Sequence, residues 1–176
     1  MAFDLDENWL SGDDFEQIRR RVPIMYVNLV PIRVGESGQV TQIGLLLTAS
    51  PEGLIRRSLV TGRIKYRETI RDAIIRHLDK DLGPVAFARI PPTLQPFGVF
   101  EYFPEESETA LHDSRQHAIA LAYTIVVSGE CQPSQSALDF AWLDVSALTD
   151  SFLESEMSNG QHHIVKSVFS YLGVLR

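Results

Sequence analysis

Apolar positions along the chain fall into a series of extended segments with three stretches of helical character between and around them. From Ile24 to Val34 the residues are apolar and β-branched, and Gly35-Glu36-Ser37-Gly38 then supplies turn chemistry. A second strand, 39–48, carries Ile43 and the run Leu45-Leu46-Leu47, which predicts burial on both faces and a hairpin with the first strand. After the turn at Ser50-Pro51-Glu52-Gly53, a third strand is expected over 54–60. Further on, 97–103 and 138–143 read as strands, the latter carrying Trp142. The continuous apolar run AIALAYTIVV within 116–127 predicts a central strand. Between them, ARIPPTLQP is a Pro-rich connector, and 104–114, with Glu105, Glu106, Glu108, His112 and Asp113, is expected to be an exposed acidic loop.

The helical stretches have their own signals. Asp13 with Glu16 predicts a short N-terminal helix edged by Phe15 and Ile18 and ended by Pro23. Ile164, Val165, Val168, Phe169 and Leu172 fall at helical spacing near the C-terminus. The middle helix starts at the capping pair Thr69 and Asp72 and stops at Gly83-Pro84, leaving Glu68 in the loop before it. At about 100° per residue, Ile70, Ile74, Ile75, Leu78 and Leu82 form its apolar arc. His77 and Asp81, four residues apart, project inside or beside that arc, whereas Asp72, Arg76, Asp79 and Lys80 project opposite. His77 and Asp81 are therefore expected to be at least half buried and to need polar partners.

With 176 residues, 44% hydrophobic and 22% charged, the chain suits one domain of ordinary size, 1–176, with an N-terminal helical extension over 1–22 and a C-terminal helix over 160–176. No apolar run reaches the roughly 18 to 20 residues of a membrane span. The N-terminal residues are acidic where a secretory signal would be basic and then apolar, and Cys131 is the single cysteine. A cytoplasmic location is the expectation. The net charge of -7 argues against a nucleic-acid polymer as partner. Arg56, Arg57, Arg63, Lys65, Arg67, Arg71 and Arg76 nevertheless crowd into 56–76, which points to a small phosphorylated ligand.

The stretch 62–84, GRIKYRETIRDAIIRHLDKDLGP, resembles a Nudix box: Gly, five residues, Glu, seven residues, Arg-Glu, an apolar residue, any residue, Glu-Glu, any residue, Gly. Gly62, Glu68, Arg76, Leu78 and Gly83 keep the register, while His77, Lys80 and Asp81 stand where the pattern has its three later carboxylates. The order of elements is also that of the Nudix fold, and LDFAWLDVSAL is similar to the Trp-containing strand near the end of such domains. The resemblance implies an α+β fold, an α/β/α sandwich with a mixed sheet. It also implies a structural ion pair between Glu68 and Arg76, and a site where carboxylates hold Mg²⁺ or Mn²⁺ against a phosphoanhydride.

Three replaced carboxylates leave two functional expectations. The first is a module that binds a nucleoside diphosphate-linked or other phosphorylated small molecule through Lys80, Arg63 and Arg57, with metal-dependent hydrolysis weak or lost. The second is a working pyrophosphohydrolase in which His77 and Asp81 act as catalytic and metal-binding residues around Mg²⁺, Mn²⁺ or Zn²⁺. An acid from elsewhere, with Glu101, Glu105 and Glu106 as candidates, would complete that ion's shell. In the absence of an ion, His77 and Asp81 would bond each other or nearby backbone. Oligomeric state is not readable. His112-Asp113-Ser114 has triad residue types without triad context, and His162 and His163 are expected to diverge as helix neighbours. Trp142 is expected in the core rather than on a base-stacking surface.

Overall fold

A computed structural model describes residues 10–49, 53–106, 111–133, 137–157 and 159–173. In order, these form α1 (Gly12–Arg19), β1 (Ile24–Val34), β2 (Val40–Ala49), β3 (Ile55–Ser58), β4 (Val60–Arg63), α2 (Ile70–Leu82), β5 (Ala88–Arg89), β6 (Gly98–Phe103), β7 (Leu111–His112), β8 (Ala118–Val127), β9 (Asp139–Asp144), α3 (Asp150–Glu156) and α4 (His162–Tyr171). The turn residues Ser50 to Glu52, Glu108 of the acidic loop, and the first nine and last three residues of the chain lie outside the described residues.

All nine strands join one mixed sheet. β1 and β8, the two longest apolar runs, lie side by side in parallel from Ile24 opposite Ala118 to Ile32 opposite Val126. Along its other edge β1 pairs with β2 near Ile32 and with β4 near Val27, so the sheet divides there and β2 carries β3 and β9 outward. Burial on both faces of β1 follows from its alternation. Val27 and Leu29 pack with Ile74, Leu78 and Leu82 of α2, while Val30 and Ile32 pack with Ile164, Val165, Val168 and Phe169 of α4. The sheet is thus sandwiched between helices, the α+β architecture expected of the Nudix pattern.

Several elements depart from the sequence reading. The third strand is broken at Leu59, whose N–H turns away to donate to Oε1 of Gln161 at 2.9 Å, and the chain re-enters the sheet as β4. Gly62 therefore lies within a strand, opposite Val27, rather than beyond its end. The connector contains β5, paired with Val126 and Val127, and the acidic loop contains β7, whose Leu111 is buried. Helix α3 had no strong apolar period to announce it; Thr149 caps it by accepting from the N–H of Phe152. No helix among the described residues is long and apolar enough to cross a membrane.

A polar chain crosses the core on the α4 side. Asn28 donates to Tyr102 Oη at 2.9 Å and accepts from Thr61 Oγ1 at 2.7 Å. Burial pushes the Tyr102 hydroxyl up to about 12, so it stays protonated. Asn28→Ala removes one hydrogen-bond partner each from the buried Tyr102 hydroxyl and the part-buried Thr61 hydroxyl and should cost about 1–3 kcal/mol. The check is a lower urea midpoint with an unchanged denaturant slope.

Candidate functional site

The turn from β4 into α2 is held by one bidentate ion pair. Arg76 Nε donates to Glu68 Oε1 and Arg76 Nη2 to Glu68 Oε2, both at 2.7 Å, and Glu68 Oε2 also accepts from the Lys65 N–H at 2.8 Å. Burial alone would raise the Glu68 carboxyl, but the Arg76 and Lys65 hydrogen bonds hold it below its ordinary value. Arg76 Nη2 reaches on to the carbonyl oxygen of Arg63 at 3.0 Å, tying the helix to β4. Thr69 caps α2 by accepting from the Asp72 N–H at 3.1 Å, and Gly83 closes the helix at φ 81°.

His77 and Asp81 are more deeply buried than half, at 5% and 3% exposure. They do not bond each other. His77 Nε2 donates to the carbonyl oxygen of Arg63 at 3.0 Å, and its Nδ1 is buried without a partner. The ring lies flat against the strand: a Cβ on Gly62 would stand 1.8 Å from His77 Cε1. Burial, followed by the charges of Arg76 and Lys80, outweighs the Arg63 carbonyl and pulls the imidazole down to about 4, so His77 is neutral at pH 7. Asp81 Oδ1 lies 3.2 Å from Lys80 Nζ. Burial raises the Asp81 carboxyl against the opposing pull of that lysine. Lys80 thus bends round from the polar side of the helix to neutralise its neighbour. Ile75, expected in the apolar arc, is 40% exposed at the arc's edge.

The crowd of basic residues in 56–76 does not converge. Arg56 bonds the Ser155 carbonyl, Arg57 faces Glu156 at 3.7 Å and the Phe152 ring on α3, and Arg71 bonds the carbonyls of Pro91 and Pro92. Arg57 thus faces α3, whereas the Arg63 guanidinium sits 3.7 Å from the centroid of the Phe15 ring of α1. Desolvation there lowers the Arg63 pKa, assisted by the charges of Arg19, Arg115 and Arg76.

Other sequence candidates resolve as follows. Among the described residues no group of three or more His, Cys, Asp or Glu side chains is placed to hold a metal, so Glu101, Glu105 and Glu106 do not complete a site with His77 and Asp81. His112 Nε2 bonds the Pro104 carbonyl and Asp113 binds Arg115, which rules out a triad with Ser114. His162 and His163 do not diverge; their rings lie 4.0 Å apart. Trp142 is partly buried, and Arg33 covers it at 4.4 Å with Phe140 edge-on at 5.1 Å.

Residues 6–174 match the family described as Domain of unknown function (DUF4916). A possible asymmetric diadenosine tetraphosphate (Ap4A) hydrolase from Jonesia denitrificans is 45% identical with a TM-score of 0.83, over 89% of this chain and 98% of that one. The chain belongs to the DUF4916 family, within the Nudix superfamily. The Nudix domain of Shewanella oneidensis NrtR, solved with ADP ribose, shares the fold at 16% identity and a TM-score of 0.63, over 98% of this chain and 99% of that one. A C. elegans Ap4A hydrolase in a binary complex shares it at 12% identity and a TM-score of 0.59, over 86% and 99%. No curated protein matches the chain.

Two predictions follow from the Gly62–His77 contact and the buried imidazole. Gly62→Ala should cost roughly 1–3 kcal/mol by overpacking and clearly less in a His77→Ala background. Equal costs in both backgrounds in a denaturation double-mutant cycle would show that the ring does not rest on Gly62. The unfolded imidazole takes up a proton near 6.5 and the folded one only near 4. Between these values the unfolded chain binds more protons, so stability falls as pH falls, by on the order of 3 kcal/mol in full. His77→Gln should remove that component from the pH dependence of the urea midpoint.

Proposed function

We propose that this chain is a Nudix-fold binding module for a nucleoside diphosphate-linked or other phosphorylated small molecule, with metal-dependent hydrolysis weak or lost. The observation that carries the reading is the internal neutralisation of the box face. Glu68 is paired by Arg76 and Asp81 by Lys80, and His77 is neutral. A divalent ion needs excess negative charge and several oxygen ligands to offset its desolvation, and this face offers neither. The residues present do not fit a resident Mg²⁺ or Mn²⁺.

Lys80 is the residue that would meet the ligand. Its side chain is 33% exposed while its partner Asp81 is 4% exposed, so the lysine is the part of the pair that reaches solvent. Such a charge suits phosphate without making hydroxide. The ligand class draws support from the Jonesia denitrificans relative, described as a possible Ap4A hydrolase, and from the ADP-ribose bound to the NrtR domain.

The competing reading is a pyrophosphohydrolase with a divalent ion held by His77, Asp81 and an acid from elsewhere. The lone pair on His77 Nδ1, buried without a partner, favours it. Calorimetric titration with ADP-ribose and with diadenosine tetraphosphate, in EDTA and in Mg²⁺, Mn²⁺ or Zn²⁺, separates the two. Binding should be indifferent to metal and weakened about tenfold by Lys80→Gln, the size of one charge-assisted hydrogen bond. Turnover that Asp81→Ala abolishes would sink the binding reading in favour of the enzyme.

A further inference from the structure

A hollow of about 580 Å³ opens between the C-terminal end of α1 and the turn leading into β8, and no residue of 62–84 lines it. The volume lies within the roughly 300–1,000 Å³ of sites that take small molecules. Arg19, Arg20, Arg21 and Arg115 line it, with Glu16 as the carboxylate among the lining residues. Glu16 accepts from Arg19 and lies 3.7 Å from Arg20, while Asp113 holds Arg115 through bonds of 2.8 and 2.9 Å. Positive charge stays in excess after both carboxylates are counted, and two of the guanidinium groups are already held in place.

A second observation concerns Gln116, which lines the same hollow and is 2% exposed. Its Nε2 donates to Tyr26 Oη at 2.8 Å and to Asp113 Oδ2 at 2.9 Å, which fixes the orientation of the amide. Its Oε1 is then left buried with no donor, and Arg19 Nε is buried with no acceptor. Buried polar atoms without partners are uncommon, and these two ask for opposite things. The arginine wants an anion and the glutamine wants a hydrogen-bond donor. A ligand that carries an anionic group for the arginines and a hydroxyl for the glutamine answers both at once.

We propose that this hollow is a second ligand site, distinct from the box face, which takes a small sugar phosphate. The phosphate meets the arginines, and a sugar hydroxyl donates to Gln116 Oε1.

The probes are ribose 5-phosphate, ribose and inorganic phosphate, titrated into the full chain by calorimetry. Ribose 5-phosphate should bind at least tenfold more tightly than either of the others. Replacing the exposed pair, Arg20→Ala with Arg21→Ala, should weaken it at least tenfold with an unchanged thermal midpoint, and Lys80→Gln should leave it unaffected. Four results would overturn the inference: inorganic phosphate binding as tightly as the sugar phosphate, which means an adventitious ion only; an affinity indifferent to the arginine pair; loss on Lys80→Gln alone, which puts the ligand on the box face; or no binding at millimolar concentration. Loss of ADP-ribose binding with ribose 5-phosphate retained would count against the box reading and leave this one standing.

Discussion

The carbonyl oxygen of Arg63 accepts from two consecutive residues of one helix, Arg76 Nη2 and His77 Nε2, each at 3.0 Å. That single acceptor fixes where α2 sits against β4, because both donors must reach it from the same turn. The rest of the box conforms to it. Glu68 is drawn under Arg76, Arg67 takes a positive φ of 62° to bring it there, and Gly62 gives up its side chain so that the His77 ring can lie against the strand. On the far side of β4, Thr61 is bonded to Asn28. The strand is thereby gripped on both faces, by ionic and imidazole donors on one and by a buried amide on the other.

Charge in this molecule is organised in space differently from its order along the chain. Among the basic residues between 56 and 76, Arg56 and Arg57 hold α3, Arg71 the prolyl carbonyls after β5, and Arg76 Glu68. The stretch of sequence around β3 and β4 runs across the sheet, so its side chains emerge in opposing directions. The guanidinium groups that do gather come from α1 and from the turn before β8. Those segments are far apart in sequence and are brought together because β1 and β8 start side by side. Burial lowers the Arg63 pKa, and the charges of both sets add to that effect.

Much of the fold was legible because its elements are periodic or sharply punctuated. The two long apolar runs are β1 and β8, and Thr69 and Gly83 bound α2 as their chemistry requires. The phase of α2 also placed His77 and Asp81 among buried residues. What escaped is what depends on partners remote in sequence or on the reach of a flexible side chain. The break at Leu59 needs Gln161 to accept its N–H, β5 needs β8, and the neutralisation of Asp81 needs the freedom of a lysine stem to cross from one helix face toward the next. Periodicity carries no information about such a reach, since a four-carbon side chain does not end where its Cα points. The hollow beside Gln116 escaped because it is assembled from the end of α1 and the turn before β8, segments far apart in sequence.

Histidine at position 77 also changes what the strand requires of the helix. A carboxylate has only acceptor atoms, so facing the Arg63 carbonyl it would set acceptor against acceptor, an arrangement that needs a cation or a proton between them. A neutral imidazole supplies the proton itself, through Nε2, and keeps it because burial holds the ring well below its ordinary pKa. On the proposed reading, the histidine thus stands in place of a carboxylate ligand and supplies the proton that the strand carbonyl accepts. Lys80 beside Asp81 repeats the logic with a fixed ammonium. On the proposed reading, two neighbouring donors attached to the helix satisfy the acceptors that face them, and the frame around Gly62, Glu68, Arg76 and Gly83 keeps the geometry of a Nudix box without the carboxylate cluster.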